Sequence, residues 1–331
     1  MGIKGLTQLI KQYSPNSIQT TNLYKLSGKR VAIDASLFMY KMLINMRGPD
    51  KSYLTSKDGK VVSHITGIFY KTSNYLALNI TPIYVFDGKP PKNKGDVIKN
   101  RQDKASNAKL AMTNTELTEE QKNNLEKQTI RLTKQHVDDI KDLLDLMGVS
   151  YVQAHGEAEA YASEMCRQNM VDYVVPEDMD TLAFGAPRMI RTCLDKSIKR
   201  KDIISIIHLD KILENFNLSY QEFVDLCILC GCDYCKNIPR IGNKTAFNLI
   251  QQHRTIEELL KTIKIVPNDY EYNYTSSRRL FTQYHDALNV EENKCTSSLD
   301  LDALSHYLID DCSISEKRVQ SSLKKINNIY K

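Results

Sequence analysis

The sequence predicts an α/β fold, a central and mostly parallel β-sheet flanked by helices. Three hydrophobic, β-branched runs share one design, and each ends in Asp. They are "RVAID" closing at Asp34, "PIYVFD" at Asp87, and "DYVVPEDMD" at Asp178 and Asp180. Unbroken apolar runs of this length suit strands buried on both faces, as parallel sheets require. Helical patterns separate them, among them "SLFMYKMLINM" and "VDDIKDLLDLMG", the latter with Gly148 as its stop signal. Strands alternating with helices build such sheets through right-handed crossovers. The ligand crevice then opens beyond the carboxyl ends of the strands, where each of these Asp residues falls.

The chain has 331 residues, 41% of them hydrophobic and 26% charged, enough for a substantial core and unlike a disordered chain. No apolar run approaches the ~20 residues that span a bilayer, and "MGIKGLTQLI" lacks a signal-peptide layout. The myristoylation pattern also fails, because Leu6 stands where Ser or Thr is needed. An intracellular protein without membrane partners is expected. The net charge of +5 is mild, yet Lys89 to Leu110 carries seven Lys or Arg against two Asp. Such a stripe is usually a solvated helix face. Beside a carboxylate site it suits a polyanionic substrate.

Along the chain, Glu157 and Glu159 in "AHGEAEAYASEM" stand at a helix start, just after Gly156. Mid-helix, residues two apart would point to opposite sides. At the N-terminus the first need not be helical, and the helix dipole tolerates both charges. The polar stretch from Lys92 to His136 reads as a projecting helical arm, with Thr118 and Gln121 forming a capping box. "CILCGCDYC" offers Cys227, Cys230, Cys232 and Cys235 as two C-x-x-C pairs, but only Gly231 separates them. Zinc sites normally need a longer loop between pairs, so reduced core thiols at a helix end are the better reading. "IPRIGNKTAFNLIQQH" reads as a helix-hairpin-helix with Gly242 in a tight turn between short helices, Lys244 and Thr245 opening the second. Turn amides and a helix N-terminus of this kind bind DNA phosphates without reading bases. "NDYEYNYTSSRR" reads as a polar, Tyr-rich loop, and "SEKRVQSSLKKINNIYK" as a basic helix.

The acids gather into one set: Asp34, Asp87, Glu157, Glu159, Asp178, Asp180 and, from "GCDYC", Asp233. Any one alone would be read as a cap or turn residue. Seven carboxylates at one rim cannot all stay ionised, because close like charges raise each other's pKa. Divalent cations resolve the conflict, and oxygen ligands without His point to Mg²⁺, with Mn²⁺ as a substitute. Two such ions clamp a phosphodiester, activating a water on one side and stabilising the leaving oxygen on the other. Lys94 and Arg101, seven apart, share a face if their stretch is helical and could lean over a phosphate as its charge grows.

"MGIKGL", "VAIDAS", "YVFDGKPP", "EAEA", "EDMD", "CDYC" and "IPRIGNK" together resemble the flap endonucleases, a branch of the XPG-type structure-specific 5′ nucleases. The resemblance runs over about residues 1–325 and implies a PIN-like nuclease core with a helical arch. It assigns all seven carboxylates to a two-metal site and makes Lys94 and Arg101 a phosphate-contacting pair at the base of the arch. It further implies that Tyr40 stacks on the base beside the scissile bond. Gly2 becomes a buried N-terminal glycine after loss of Met1, and Arg47 part of the region holding the duplex junction. The implied DNA contacts are thus Gly2, Tyr40, Arg47, Lys94, Arg101, Glu157, Gly242, Lys244 and Thr245, with a K⁺ site around Ile238 to Ile241. Two positions depart from the pattern: Arg240 replaces the first hairpin Gly, and Cys232 a usual Ser.

The expected organisation is an N-terminal nuclease region at 1–105, an arch at 92–136, an internal nuclease region at 137–235, and a hairpin region with helical tail at 236–331. The expected activity is Mg²⁺-dependent 5′ flap endonuclease and 5′→3′ exonuclease cleavage of branched or nicked DNA. The enzyme would be a monomer at sites of replication, in the nucleus or, for a viral protein, the cytoplasm. The chain ends at Lys331 without a sliding-clamp motif, so clamp docking through a C-terminal peptide is unsupported, while a sliding clamp stays open as a partner. The alternatives are a 5′ exonuclease, a junction-cutting relative, or a non-catalytic DNA- or zinc-binding protein.

Overall fold

The computed structural model describes residues 2–48, 52–89, 94–113, 117–176, 178–283 and 298–330. Met1 and Lys92, which enter the expectations above, lie outside this set, as do the side chains of 96–98 and 328–330. Seven strands occur among the described residues: β1 (Ile18–Asn22), β2 (Arg30–Asp34), β3 (Thr81–Phe86), β4 (Tyr151–Gln153), β5 (Tyr173–Val175), β6 (Arg188–Thr192) and β7 (Ile203–His208). The three Asp-ending runs are β2, β3 and β5, as their composition predicts. The chain divides into two compact units, one of Met1–Lys25, Gly88–Val97 and Ala154–Glu292, the other of Leu26–Asp87, Ile98–Gln153 and Asn293–Lys331.

In the first unit the strand order is β1-β7-β6-β5. β5 and β6 run parallel, while β7 pairs antiparallel with both β6 and β1. The sheet is thus mixed on this side, its outer pairings antiparallel. The core joins Leu6, Leu9 and Ile10 of the first helix to Phe216, Phe223, Leu226, Phe247 and Ile250. Cys227 and Cys230 are wholly buried on the helix Tyr220–Cys230, as their helical spacing implies.

Two features of this unit differ from the sequence reading. Residues 268–279, read as a loop, lie from Tyr270 onward in the helix Tyr270–Gln283. Tyr270, Tyr274, Ser277 and Phe281 recur at three- and four-residue spacing and are all buried; Tyr and Ser disguised an amphipathic stripe. The hairpin, read as a tight turn, is instead the longer connection Gly231 to Gly242 between helices Tyr220–Cys230 and Asn243–His253. Within it Arg240 adopts φ +68°, the left-handed conformation that glycine takes without cost.

In the second unit β2, β3 and β4 are all parallel, with Asp34 opposite Val85 and Val85 opposite Val152. Val31, Ala32 and Ile33 of β2 and Tyr84, Val85 and Phe86 of β3 are buried, as two-sided strands demand. Helices Ala35–Asn45, Lys134–Leu146 and Glu316–Tyr330 all pack on helix Ser63–Ala77. The polar arm contains helices Gly95–Ala111 and Glu119–Thr129. The second buries none of its residues and carries the expected Thr118–Gln121 capping box. Among the described residues, no helix is long and apolar enough to cross a membrane.

Candidate active site

Five of the seven expected carboxylates belong to the first unit: Glu157, Glu159, Asp178, Asp180 and Asp233. Glu157 is the extended residue (φ −80°, ψ 135°) that starts helix Ala158–Arg167, and its side chain does not cap that helix. Glu159 lies in the first turn. Asp178 and Asp180 follow β5, and Asp233 follows the helix ending at Cys230. A strand end, a helix start and a loop therefore each deliver acids to one place.

Electrostatics show how crowded that place is. Burial, then Asp233 and Asp178, push the Asp180 carboxyl up to about 7, against the Ile3 N–H and the Lys94 charge. Asp180 is 4% exposed, so water screens little of this repulsion. Lys94 feels the opposite sum. Burial disfavours its ammonium, but Glu157, Glu159 and Asp233 outweigh burial and hold its pKa above the ordinary lysine value. Its Nζ donates to Glu157 Oε1 over 2.5 Å, and the Tyr234 hydroxyl donates to Glu157 Oε2. Gly2 is buried at φ +84°, and a Cβ there would lie 2.7 Å from Asp180 Oδ1 and 3.1 Å from Asp178 Cβ.

Asp34 and Asp87 belong to the second unit and end adjacent parallel strands. Asp34 is buried and accepts the Leu37 N–H at 2.9 Å, capping helix Ala35–Asn45. Asp87 follows β3 directly and is exposed, its carbonyl accepting from Gln153 Nε2 at 2.5 Å. Lys94 stands in a 3₁₀ turn that leads directly into helix Gly95–Ala111, and Arg101 lies within that helix. The Arg101 carbonyl accepts from Arg131 Nη2 at 2.6 Å. Tyr40 is half-buried on helix Ala35–Asn45. Arg47 stacks 3.8 Å over the Tyr53 ring and pairs with Glu126 of the arm at 3.1 Å.

At the hairpin, exposed Gly242 precedes helix Asn243–His253, with Lys244 and Thr245 exposed on its first turn. That is a helix N-terminus open to an anion. The seven described cysteines are free thiols. Burial raises Cys227 and Cys232 well above the ordinary thiol range, and Cys230 and Cys235 up to about 12. Neutral thiols are poor zinc ligands, which favours the core reading.

The acidic donors fit a hard divalent cation. A buried carboxyl held near neutrality by two acidic neighbours requires added positive charge to ionise, and the acids there are all oxygen donors. Among the described residues no three acidic, His or Cys side chains are drawn in closely enough to grip an ion by themselves. The charge that Glu157 meets is the Lys94 ammonium.

Residues 1–108 match the XPG N-terminal domain and residues 148–233 the XPG I-region. Flap endonuclease 1-A of Sorghum bicolor is 39% identical over 99% of this chain and 87% of its own. The chain belongs to the flap endonuclease family of XPG-type nucleases. Among solved structures, flap endonuclease-1 from Methanococcus jannaschii matches at 30% identity and TM-score 0.67, covering 94% of this chain and 96% of that one. The catalytic core of Rad2 in complex with DNA substrate shares the fold, with TM-score 0.74 at 20% identity over 98% of this chain and all of that one. Tyr234 is the site residue that sequence reasoning overlooked. Its one signal is adjacency to Asp233.

Proposed function

We infer that the chain is a structure-specific 5′ flap endonuclease with 5′→3′ exonuclease activity, hydrolysing phosphodiesters near single-strand/duplex junctions in DNA replication and repair. The observation that carries this reading is the gathering of five carboxylates at one place: burial, Asp233 and Asp178 push the Asp180 carboxyl up to about 7, and Glu157, Glu159 and Asp233 act together on Lys94. The kinship with flap endonuclease 1-A supports it. Glu157, Glu159, Asp178, Asp180 and Asp233 would hold divalent ions, Mg²⁺ or Mn²⁺, and the family motif assigns Asp34 and Asp87 the same role. When bound, two such ions supply the charge that favours attack by water and departure of the leaving oxygen.

The remaining roles belong to the chain's own side chains. Lys94 would exchange Glu157 for a substrate phosphate, and Arg101 would add a second positive charge to that phosphate. Gly242, Lys244 and Thr245 would take duplex phosphates at the helix N-terminus. Tyr40 would stack on a base, and Gly2 would leave room beside the acids. Specificity would come from DNA shape rather than base readout. The regions 1–105, 92–136, 137–235 and 236–331 would serve as N-terminal nuclease part, arch, internal nuclease part and duplex-binding part. At the hairpin the Asn237 amide donates to the Ile241 carbonyl at 3.0 Å, so a K⁺ ion at Ile238 to Ile241 would compete with it. The partner would be branched DNA met by a monomer at sites of replication.

The test compares end-labelled 5′ flap, nicked duplex and four-way junction in Mg²⁺, with products mapped to one nucleotide. Cleavage of the flap within a nucleotide or so of the junction, lost in Asp180→Ala with DNA binding kept, supports the reading. Preference for the nick or the junction would reassign it within the family. No cleavage of any substrate would leave a DNA-binding protein.

A further inference from the structure

Tyr234 is almost fully buried, at 6% exposure, yet both polar groups nearest it belong to the site. Its hydroxyl donates to Glu157 Oε2, while Lys94 donates to Oε1 of the same carboxylate. The Lys94 ammonium also stands 5.6 Å from the centre of the Tyr234 ring. One side chain therefore contacts both members of the pair, the acid through its hydroxyl and the base through its π face. The ring is itself held. Phe281 meets it edge-on at 5.4 Å and Phe184 at 6.4 Å, and those two rings pack together at 4.9 Å. Phe184 closes the short helix begun by Asp180, and Phe281 lies on helix Tyr270–Gln283. Tyr220 fastens these two segments, its hydroxyl 2.8 Å from the Ala183 carbonyl and 3.2 Å from that of Phe281.

We propose that Tyr234 is a positioning residue that holds the Glu157 carboxylate and the Lys94 ammonium in place before DNA arrives. The inference rests on the nuclease reading above and deepens it. The Glu157 side chain does not cap its own helix. Lys94 and Tyr234 each donate to one of its carboxylate oxygens. When a phosphate draws Lys94 away, Glu157 loses the first donor and keeps the second. A rigid tyrosine thus preserves the aim of the acid through the step in which the lysine changes partner.

A tyrosine that merely fills the core would behave differently, and two variants separate the cases. Tyr234→Phe keeps the ring and its aromatic packing but removes the hydroxyl. Tyr234→Leu removes both. Single-turnover cleavage of a 5′ flap in Mg²⁺ is measured beside the flap Kd in Ca²⁺ and the Tm in chelator. The expected result for Tyr234→Phe is a rate about tenfold lower at saturating enzyme, with Kd and Tm unchanged. Tyr234→Leu should lose about a further tenfold, and the losses from Tyr234→Phe and Glu157→Gln should not multiply in the double variant. Wild-type rates in Tyr234→Phe, a loss confined to Kd or Tm, or fully multiplicative losses would each overturn the proposal. A wild-type protein that cleaves no flap would overturn the nuclease reading itself, which is a separate outcome.

Discussion

The backbone N–H of Ile3 donates to Oδ1 of Asp180 over 2.8 Å, joining residues 177 positions apart in sequence. The Lys4 N–H reaches the Gly231 carbonyl at 3.2 Å, so the first residues touch the loop that carries Asp233 as well. The start of the chain is therefore part of the wall of the acidic site. A charged acceptor bound by a backbone donor is held more firmly than a neutral one.

Gly2→Ala tests that wall. The methyl would fall 2.7 Å from Asp180 Oδ1, at a φ of +84° that alanine resists. Asp180 or the N-terminal backbone must give way. The expected outcome is a flap-cleavage rate reduced at least about tenfold, a barrier change of about 1.4 kcal/mol, with DNA affinity nearly unchanged. Single-turnover kinetics and Ca²⁺ binding measurements check it.

Asp180 also makes the metal-free protein sensitive to pH. Its carboxyl is raised in the folded state to about 7, above the ordinary 3.8. The folded state then binds more protons than the unfolded one between those values, so stability falls as pH rises through that window. Asp180→Asn removes the cost and keeps an oxygen for Ile3. In chelator the variant should exceed the wild type by about 2–4 kcal/mol at pH 8 and by little near pH 4, as read from urea unfolding. Added Mg²⁺ should narrow the gap at pH 8.

Arg240 predicts a gain. Its left-handed φ of +68° costs a side-chain-bearing residue about 1–2 kcal/mol, part of which glycine returns through unfolded-chain entropy. Arg240→Gly should therefore stabilise the protein by about 0.5–1 kcal/mol, visible as a modest rise in Tm. If Arg240 also meets a duplex phosphate, DNA affinity should fall in the same variant and depend less on salt.

Between helices Tyr220–Cys230 and Tyr270–Gln283, Arg278 forks onto Asp225, with Nε and Nη2 each 2.7 Å from a carboxylate oxygen, and reaches Glu257 at 2.6 Å. Asp225 is 1% exposed, so Arg278→Ala strands a buried charge. A loss of about 3–5 kcal/mol is expected, from chemical denaturation. Asp225→Asn in the Arg278→Ala background should recover part of it.

Legibility followed the physics of each segment. β2, β3 and β5 were readable because strands buried on both faces must be continuously apolar, and their terminal Asp residues broke that rule together. The Glu157 and Glu159 pair was readable because only a helix start lets residues two apart serve one site. Helix Tyr270–Gln283 escaped because its buried stripe is built from Tyr and Ser, whose polar atoms mask the period. The edge strand β1 escaped because its partner lies far away in sequence, Ile18 opposite Ile207. Tyr234 escaped because nothing in a sequence tells a buried hydroxyl aimed at a carboxylate from a core ring. Lys94 was found as a cation, but its pairing with Glu157 depends on the chain turning back at Gly88, whose N–H meets the Gly156 carbonyl at 2.6 Å.

The most direct check on the central claim is anomalous diffraction from crystals soaked in manganese. The account predicts ion density bounded by oxygens of Glu157, Glu159, Asp178, Asp180 and Asp233, with Lys94 displaced from Glu157 or turned toward a bound phosphate. Full manganese saturation with no density among those oxygens, or density at the Cys227–Cys235 segment instead, would contradict it.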